Sequence, residues 1–188
     1  AVFAVSGALA AARIKQTIVT FAFFAAVTGI GGGTLRDLLI GAPVFWVGRS
    51  DYLGICLVAA AAVWLLKADR WRLDALLWFD ALGLGAYSVL GAAKALSLGV
   101  PALPSVIMGV LTASFGGIVR DLLAGEPSIL LRREIYVSAA ALGAGIYVGL
   151  TLLGLSLWPA ALIGAAAGFG LRGLAIATGL ALPGYRDD

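Results

Sequence analysis

Histidine is absent from this sequence of 188 residues, cysteine and methionine occur once each, and charged residues make up only 12% of the positions. The absence of histidine excludes imidazole-based acid–base catalysis and removes a common zinc ligand. Cys56, the single thiol, provides neither a disulfide nor a cysteine metal cluster. The charged fraction is about half of that in a soluble domain. The composition therefore excludes zinc chemistry and an ordinary globular protein.

Hydrophobic residues are abundant instead. They make up 62% of the chain, the mean hydropathy is +1.04, and 26 glycines lie among them. Apolar stretches of about 20 residues recur, which is the length of an α-helix that crosses a bilayer. We therefore expect an all-α protein embedded in the lipid bilayer and crossing it several times.

The formal net charge is +3, but the Lys and Arg residues lie mainly in short gaps between apolar stretches. They form no basic stripe with interleaved aromatic residues, so we expect no nucleic-acid partner. No nucleophile stands beside a base, and no Walker-type phosphate loop is present. We therefore expect neither an enzyme nor a cofactor.

Charged residues, proline and glycine divide the chain into seven apolar runs. Their approximate bounds are 1–12, 17–40, 52–66, 74–98, 103–123, 135–155 and 158–180. The first run is too short to span a bilayer. We expect residues that precede Ala1 to complete it.

The chain repeats itself at an offset of 84 positions. The matched pairs include Thr28/Thr112, Gly32/Gly116, Gly33/Gly117, Arg36/Arg120, Asp37/Asp121, Gly41/Gly125 and Pro43/Pro127. Each repeat holds three runs, an odd number, so the second repeat must enter the membrane from the opposite side. The sequence thus predicts a 3+3 inverted repeat within one transmembrane domain, with repeats at 1–68 and 72–155 and a seventh helix at 157–180.

Basic residues are distributed unequally between the two sides of the predicted membrane domain. One side carries Arg13, Lys15, Lys67, Arg70, Arg72, Arg132, Arg133 and Arg186, with Arg120 and Arg172 near the same face. The other side carries Arg49, with Arg36 and Lys94 near it. The positive-inside rule then predicts a multi-pass inner-membrane protein with its N-terminus outside and its C-terminus in the cytoplasm.

Two glycine clusters occupy equivalent positions in the repeats. The first includes Gly31, Gly32 and Gly33, and the second includes Gly116 and Gly117. A run of glycines weakens a helix, and an unwound stretch offers carbonyl oxygens to a cation. We therefore predict that both clusters break their helices and line an ion pathway. The hydroxyl-bearing residues that flank them are Thr28, Thr34, Thr112 and Ser114.

The alternative interpretation is that these glycines let helices approach closely, as small residues do in membrane bundles. We expect that role for two other pairs with the G-x-x-x-G spacing, Gly145/Gly149 and Gly164/Gly168.

An Arg–Asp pair follows each glycine cluster, Arg36–Asp37 in the first repeat and Arg120–Asp121 in the second. Adjacent residues on a helix point about 100° apart, so we expect each side chain to bond elsewhere rather than to its neighbour. A structural role at a helix end and a direct contact with an ion both stay open.

Asp80 and Lys94 lie inside the fourth apolar run, where ionisable side chains are functional candidates. Asp80 is near one membrane face, and solvation there is the alternative to a functional role. Lys94 is about one turn from the other end, where it either snorkels to the headgroups or repels cations as a gating or voltage-sensing residue.

The doubled motif resembles the prokaryotic branch of the trimeric intracellular cation channel (TRIC) family, also described as a glycine-transporter-like domain. The segments that carry the resemblance are TGIGGGTLRDLLIGAPVFWV, DALGLGAYSVLGAAKAL and ASFGGIVRDLLAGEPSILLRREIY. Phe115 departs from the family pattern, since it replaces the first glycine of the second triplet.

The resemblance implies seven helices and a homotrimer with one K⁺-permeable pore inside each protomer. It also implies that the first, second, fourth and fifth helices line this pore, with kinks at the glycine clusters. The fourth-helix lysine of the family corresponds to Lys94. No cofactor is implied besides permeant K⁺ or Na⁺ and a bound lipid.

Two other functions remain open. An inverted repeat with broken helices is also typical of secondary transporters, here for a small zwitterion such as glycine. A trimeric scaffold without transport is the third.

Overall fold

The computed structural model describes residues 1–66, 73–129 and 134–183. Within these residues the chain forms the seven predicted helices, and each lies in one of the predicted apolar runs to within a few residues. They are α1 (Val2–Arg13), α2 (Ile18–Leu39), α3 (Asp51–Leu65), α4 (Leu73–Ser97), α5 (Ala102–Leu123), α6 (Val137–Leu152) and α7 (Leu157–Thr178). The described residues contain one isolated β-bridge, Glu134 to Ala181, and no strand. The all-α fold is confirmed.

The surface of the bundle is strongly apolar. Large side chains such as Val19, Leu153 and Trp158 are 74%, 81% and 75% exposed. Four helices (α2, α4, α5 and α7) are long and apolar enough to cross a membrane, whereas α1, α3 and α6 are shorter apolar helices. Because lipid is the solvent that favours such a surface, the chain is a membrane protein.

Helices α2 and α5 end in the same way, 84 residues apart. The last turn of each is followed by a glycine with positive φ, Gly41 at 66° and Gly125 at 69°. In each case the N–H of the next residue donates to the carbonyl oxygen of the motif aspartate, Asp37 or Asp121. A left-handed residue of this kind closes a helix, and glycine adopts it without strain. The division into repeats at 1–68 and 72–155 stays a prediction.

The chain divides into two compact units. Unit 1 comprises residues 1–83 and 115–126, and unit 2 comprises residues 84–114 and 127–188. Helices α4 and α5 therefore contribute one part to each unit. The core of unit 1 is built from α1, α2 and α3, with Leu9, Phe21 and Phe24 buried among alanines.

In unit 2, small residues bring α6 and α7 into contact. A Cβ at Gly164 would lie 2.7 Å from the carbonyl oxygen of Gly143, and one at Gly168 would lie 3.1 Å from that of Ala139. The predicted packing role of Gly164/Gly168 is thus confirmed. The same prediction for Gly145 and Gly149 is wrong within the chain, because a Cβ at either position meets no atom within 4 Å.

Two glycines allow equally close approaches in unit 1. A Cβ at Gly7 on α1 would overlap the carbonyl oxygen of Phe24 on α2. A Cβ at Gly116 on α5 would overlap the carbonyl oxygen of Thr28, also on α2. Neither neighbour is a flexible side chain, so α1 and α5 must move away from α2 to accept even one methyl group.

We expect Gly116→Ala to destabilise the protein by about 1–3 kcal/mol, the usual cost of overpacking. The matched control is Gly31→Ala, since a Cβ at Gly31 on α2 meets nothing within 4 Å. Alanine there should be neutral or slightly stabilising, because it favours the helix over glycine. Thermal unfolding of both variants in the same detergent checks this, and equal midpoints would contradict the close contact of α5 with α2.

Candidate functional site

Both glycine clusters lie within continuous helices. Helix α2 runs without interruption through Gly31, Gly32 and Gly33, and α5 runs through Gly116 and Gly117. The predicted unwound breaks are therefore wrong. In a bilayer no water replaces a lost backbone hydrogen bond, so the helical bonds persist despite the low propensity of glycine. A bend without unwinding, and a role of these residues in lining a pathway, stay predictions.

The glycines of α2 face different surroundings. A Cβ at Gly29 would touch Cys56 Sγ at 3.0 Å, and one at Gly33 would lie 2.6 Å from the ring of Phe45. Gly32, like Gly117 on α5, is buried. Gly31 borders open space. Two glycines of this segment thus receive neighbouring side chains, and Gly31 is the one with free volume beside it.

Three of the four flanking hydroxyls bond to their own helix. Thr34, Thr112 and Ser114 donate to the carbonyl oxygen four residues earlier, at 2.8, 2.6 and 2.6 Å. Thr34 Oγ1 also accepts a hydrogen bond from Trp46 Nε1 at 2.9 Å. Thr28 differs, because its buried Oγ1 has no hydrogen-bond partner among the described residues.

In both Arg–Asp pairs, the arginine forms an ion pair with the aspartate that follows it. Arg36 donates from Nε and Nη2 to Asp37 Oδ1, at 2.9 and 2.7 Å. Arg120 does the same to Asp121 Oδ1, at 2.9 and 2.8 Å. The prediction that these neighbours do not bond to each other is wrong, although Asp37 and Arg120 also have partners elsewhere. The arginine side chain is long enough to curve around the helix, and a buried charge left without a partner would be strongly destabilising.

The first pair secures the loop that follows α2. Asp37 Oδ2 accepts a hydrogen bond from the backbone N–H of Phe45 at 3.0 Å. The Phe45 ring lies against Gly33 and packs edge-on against Tyr52, with ring centroids 4.7 Å apart. Absence of a side chain at Gly33 therefore makes room for an aromatic ring from the loop.

The second pair belongs to a larger buried cluster, which we call the Arg120 cluster: Ser6, Asp80, Arg120 and Asp121. Arg120 Nη1 donates to Asp80 Oδ1 at 2.6 Å and also to Ser6 Oγ. Ser6 Oγ donates to Asp80 Oδ1 at 3.4 Å. Asp80 is only 1% exposed and Arg120 only 3%. Solvation of Asp80 at the membrane face is therefore excluded. The three helices α1, α4 and α5 meet at the guanidinium of Arg120.

Sequence reasoning missed the pairing of Asp80 with Arg120 and the part played by Ser6. One signal was present, because Ser6 is the one polar side chain before Arg13 in the first apolar run. An intramembrane aspartate needs a partner, and the remaining polar groups of neighbouring helices are the candidates. Among the described residues no group of three His, Cys, Asp or Glu side chains is arranged to hold a metal ion.

Comparison with known proteins identifies the family. A family model described as "Glycine transporter" matches residues 1–68 and 77–152. The structure of the TRIC trimeric intracellular cation channel orthologue from Rhodobacter sphaeroides is similar with a TM-score of 0.92 and 45% identity, covering 95% of this chain and 93% of that one. The chain belongs to the TRIC family. The resemblance predicted from the doubled motif is confirmed.

Two further relatives support the same assignment. A prokaryotic TRIC channel crystallised in 0.5 M KCl has a TM-score of 0.85 and 27% identity, covering 95% of this chain and 91% of that one. The UPF0126 membrane protein of Vibrio cholerae is 39% identical over 191 aligned residues, which cover 98% of this chain and 79% of that protein. TRIC channels are not enzymes and contain no cofactor, and neither is assigned to this chain.

The fourth-helix lysine of this TRIC-family chain lies in the last turn of α4. Lys94 is partly buried, and its carbonyl oxygen accepts a hydrogen bond from Ser97 Oγ at 2.8 Å. A cation in the last turn also interacts favourably with the partial negative charge of the helix C-terminus. The predicted position about one turn from the end of the helix is correct, and the gating role stays a prediction.

Arg172, which sequence reasoning treated only as a charge near one membrane face, is buried in unit 2. It donates to Glu134 Oε2 at 2.5 Å, and its guanidinium carbon lies 5.3 Å from the centre of the Tyr136 ring. It therefore fastens α7 to the segment before α6. Arg49, by contrast, forms an exposed pair with Asp51, whose hydrogen bond raises the pKa of the Arg49 guanidinium.

Proposed function

We propose that this chain forms a passive channel for monovalent cations, K⁺ among them, with one pathway inside each protomer of a homotrimer. The observation that carries the proposal is the Arg120 cluster: charged side chains are buried where α1, α4 and α5 meet in a membrane protein. Such groups are costly in a bilayer and characteristically mark ion pathways. Support also comes from the Rhodobacter sphaeroides orthologue, which is named a trimeric cation channel.

The chemistry of the cluster favours a cation over a zwitterion. A zwitterionic substrate needs hydrogen-bond donors or a positive group for its carboxylate, and acceptors for its ammonium. Each nitrogen of Arg120 already donates within the cluster, to Ser6, Asp80 or Asp121. Asp80 Oδ2 and Thr28 Oγ1, which have no hydrogen-bond partner among the described residues, offer acceptors to a cation but no positive group to a carboxylate.

Glycine transport is the second candidate, because the family model that matches both parts of the chain carries that description. It requires a saturable site and alternating access, whereas a channel requires a continuous pathway when open.

The inner-membrane location and the outside N-terminus also remain proposals, supported by the unequal distribution of Lys and Arg.

Purified protein in planar bilayers should give discrete current steps whose size is proportional to voltage. In a KCl gradient the current should reverse near the K⁺ equilibrium potential, because cations and not Cl⁻ would carry it. The same preparation should contain three chains per particle by light scattering. Protein-free bilayers are the control.

Saturable uptake of labelled glycine into proteoliposomes, without any current steps, would favour the transporter and overturn the channel. A monodisperse particle of one chain would overturn the homotrimer.

For Lys94 we propose a gating role. If its ammonium borders the pathway, it repels an incoming cation, and its displacement in the membrane field contributes up to about 2.3 kcal/mol per 100 mV. Lys94→Ala should raise the open probability or the conductance and flatten any voltage dependence. Lys94→Arg retains the charge and should behave like the wild type. Recordings at both polarities check this, and wild-type currents from Lys94→Ala would exclude the gating role.

A further inference from the structure

Two buried oxygen atoms of unit 1 have no hydrogen-bond partner within the described part of the chain, Asp80 Oδ2 and Thr28 Oγ1. The Asp80 side chain is 2% exposed, and Thr28 is also 2% exposed. A carboxylate oxygen that is removed from water and accepts no hydrogen bond carries a desolvation cost. Asp80 Oδ2 can therefore accept a group that the described residues do not supply.

Asp80 is only partly neutralised by its arginine. Arg120 directs Nε and Nη2 to Asp121 and only Nη1 to Asp80. The Ser6 hydroxyl bonds to the same Asp80 oxygen, Oδ1, as Arg120 does. Both contacts thus converge on Oδ1, and Oδ2 accepts no hydrogen bond from the described residues.

The two residues that carry these oxygens, Asp80 and Thr28, both contact α1 and α5. Asp80 on α4 contacts Ser6 on α1 and Arg120 on α5. Thr28 on α2 packs against Gly7, the residue after Ser6, and against Gly116, one turn before Arg120. Asp80 is seven residues from the first residue of α4, so it lies about 10 Å along the helix, inside the apolar layer.

Given the proposed channel function, on which this inference rests, we propose that Asp80 binds the permeant monovalent cation through Oδ2. Thr28 Oγ1 supplies a second protein oxygen on the neighbouring helix. A cation that exchanges water for such oxygens gains a binding site inside the membrane. The nearby Arg120, held in place by Asp121, weakens that binding, which allows the cation to leave again and conduction to continue.

A proton on Oδ2 is the competing occupant. It makes Asp80 a neutral acid, and the neutral, equally shaped asparagine would then replace it without effect on cation binding. The two occupants are therefore distinguished by one substitution, Asp80→Asn. Arg120 keeps its two bonds to Asp121 in this variant, so no guanidinium is left unpaired.

The first experiment measures the K⁺ dependence of the single-channel conductance and the reversal potential in a KCl gradient. Asp80→Asn should raise the half-saturating K⁺ concentration about tenfold and move the reversal potential toward zero, because one fixed negative charge is lost. Asp80→Glu should retain most of the selectivity. The control is Asp51→Asn, which removes an equal charge from an exposed ion pair and should match the wild type.

The second experiment measures ion binding without conduction and therefore covers a variant that folds but does not open. KCl should raise the unfolding temperature of the wild type above that in N-methyl-D-glucamine chloride of equal ionic strength, because a ligand of the native state stabilises it. The rise should disappear in Asp80→Asn and decrease in Thr28→Val.

The outcomes separate this inference from the channel proposal. Suppose that the wild type conducts cations and that Asp80→Asn leaves both the selectivity and the K⁺ stabilisation unchanged. This result would overturn the cation site and leave the channel intact. Absence of any wild-type current would overturn the channel itself. K⁺ stabilisation lost equally in Asp51→Asn would show a general charge effect and overturn the site.

Discussion

The absence of water inside a bilayer is the constraint on which this structure depends. A buried charge there must find its partner within the protein, and one guanidinium, that of Arg120, serves two carboxylates and a hydroxyl. These partners come from α1, α4 and α5, so one local requirement for neutralisation also fixes the relative positions of three helices. One oxygen of Asp80 has no donor among the described residues, and this oxygen is the one for which we propose a cation.

Small residues make this arrangement sterically feasible. Gly7 and Gly116 bring α1 and α5 against backbone carbonyls of α2, so that Thr28 lies close to the cluster. Contacts of this kind replace the hydrophobic effect, which does not operate between helices in lipid. The glycine-rich segments therefore let helices meet closely, and Gly33 leaves room for the ring of Phe45.

Much of the fold could be predicted, because long apolar runs separated by charged residues directly indicate membrane-spanning helices. The seven helices and the family follow from apolar run lengths and from the doubled motif. The continuous helical structure through the glycine clusters could not be predicted. Helix propensities measured in water underestimate how strongly a bilayer preserves helical hydrogen bonds. The pairing of Arg120 with Asp121 was also missed, since helix geometry alone ignores the reach of a long side chain. Asp80 was recognised as unusual, but its partner lies 40 residues away in sequence and became apparent only in three dimensions.

The buried contact between Asp80 and Arg120 holds α4 and α5 together. A double-mutant cycle on unfolding stability in detergent, with Asp80→Asn, Arg120→Gln and the combined variant, tests it most directly. Arg120→Gln leaves two buried carboxylates without their cation and should cost about 3–5 kcal/mol, whereas Asp80→Asn should cost less, because Arg120 stays paired with Asp121. The account predicts that the double variant is destabilised by clearly less than the sum of the single variants. Additivity within about 0.5 kcal/mol would contradict it.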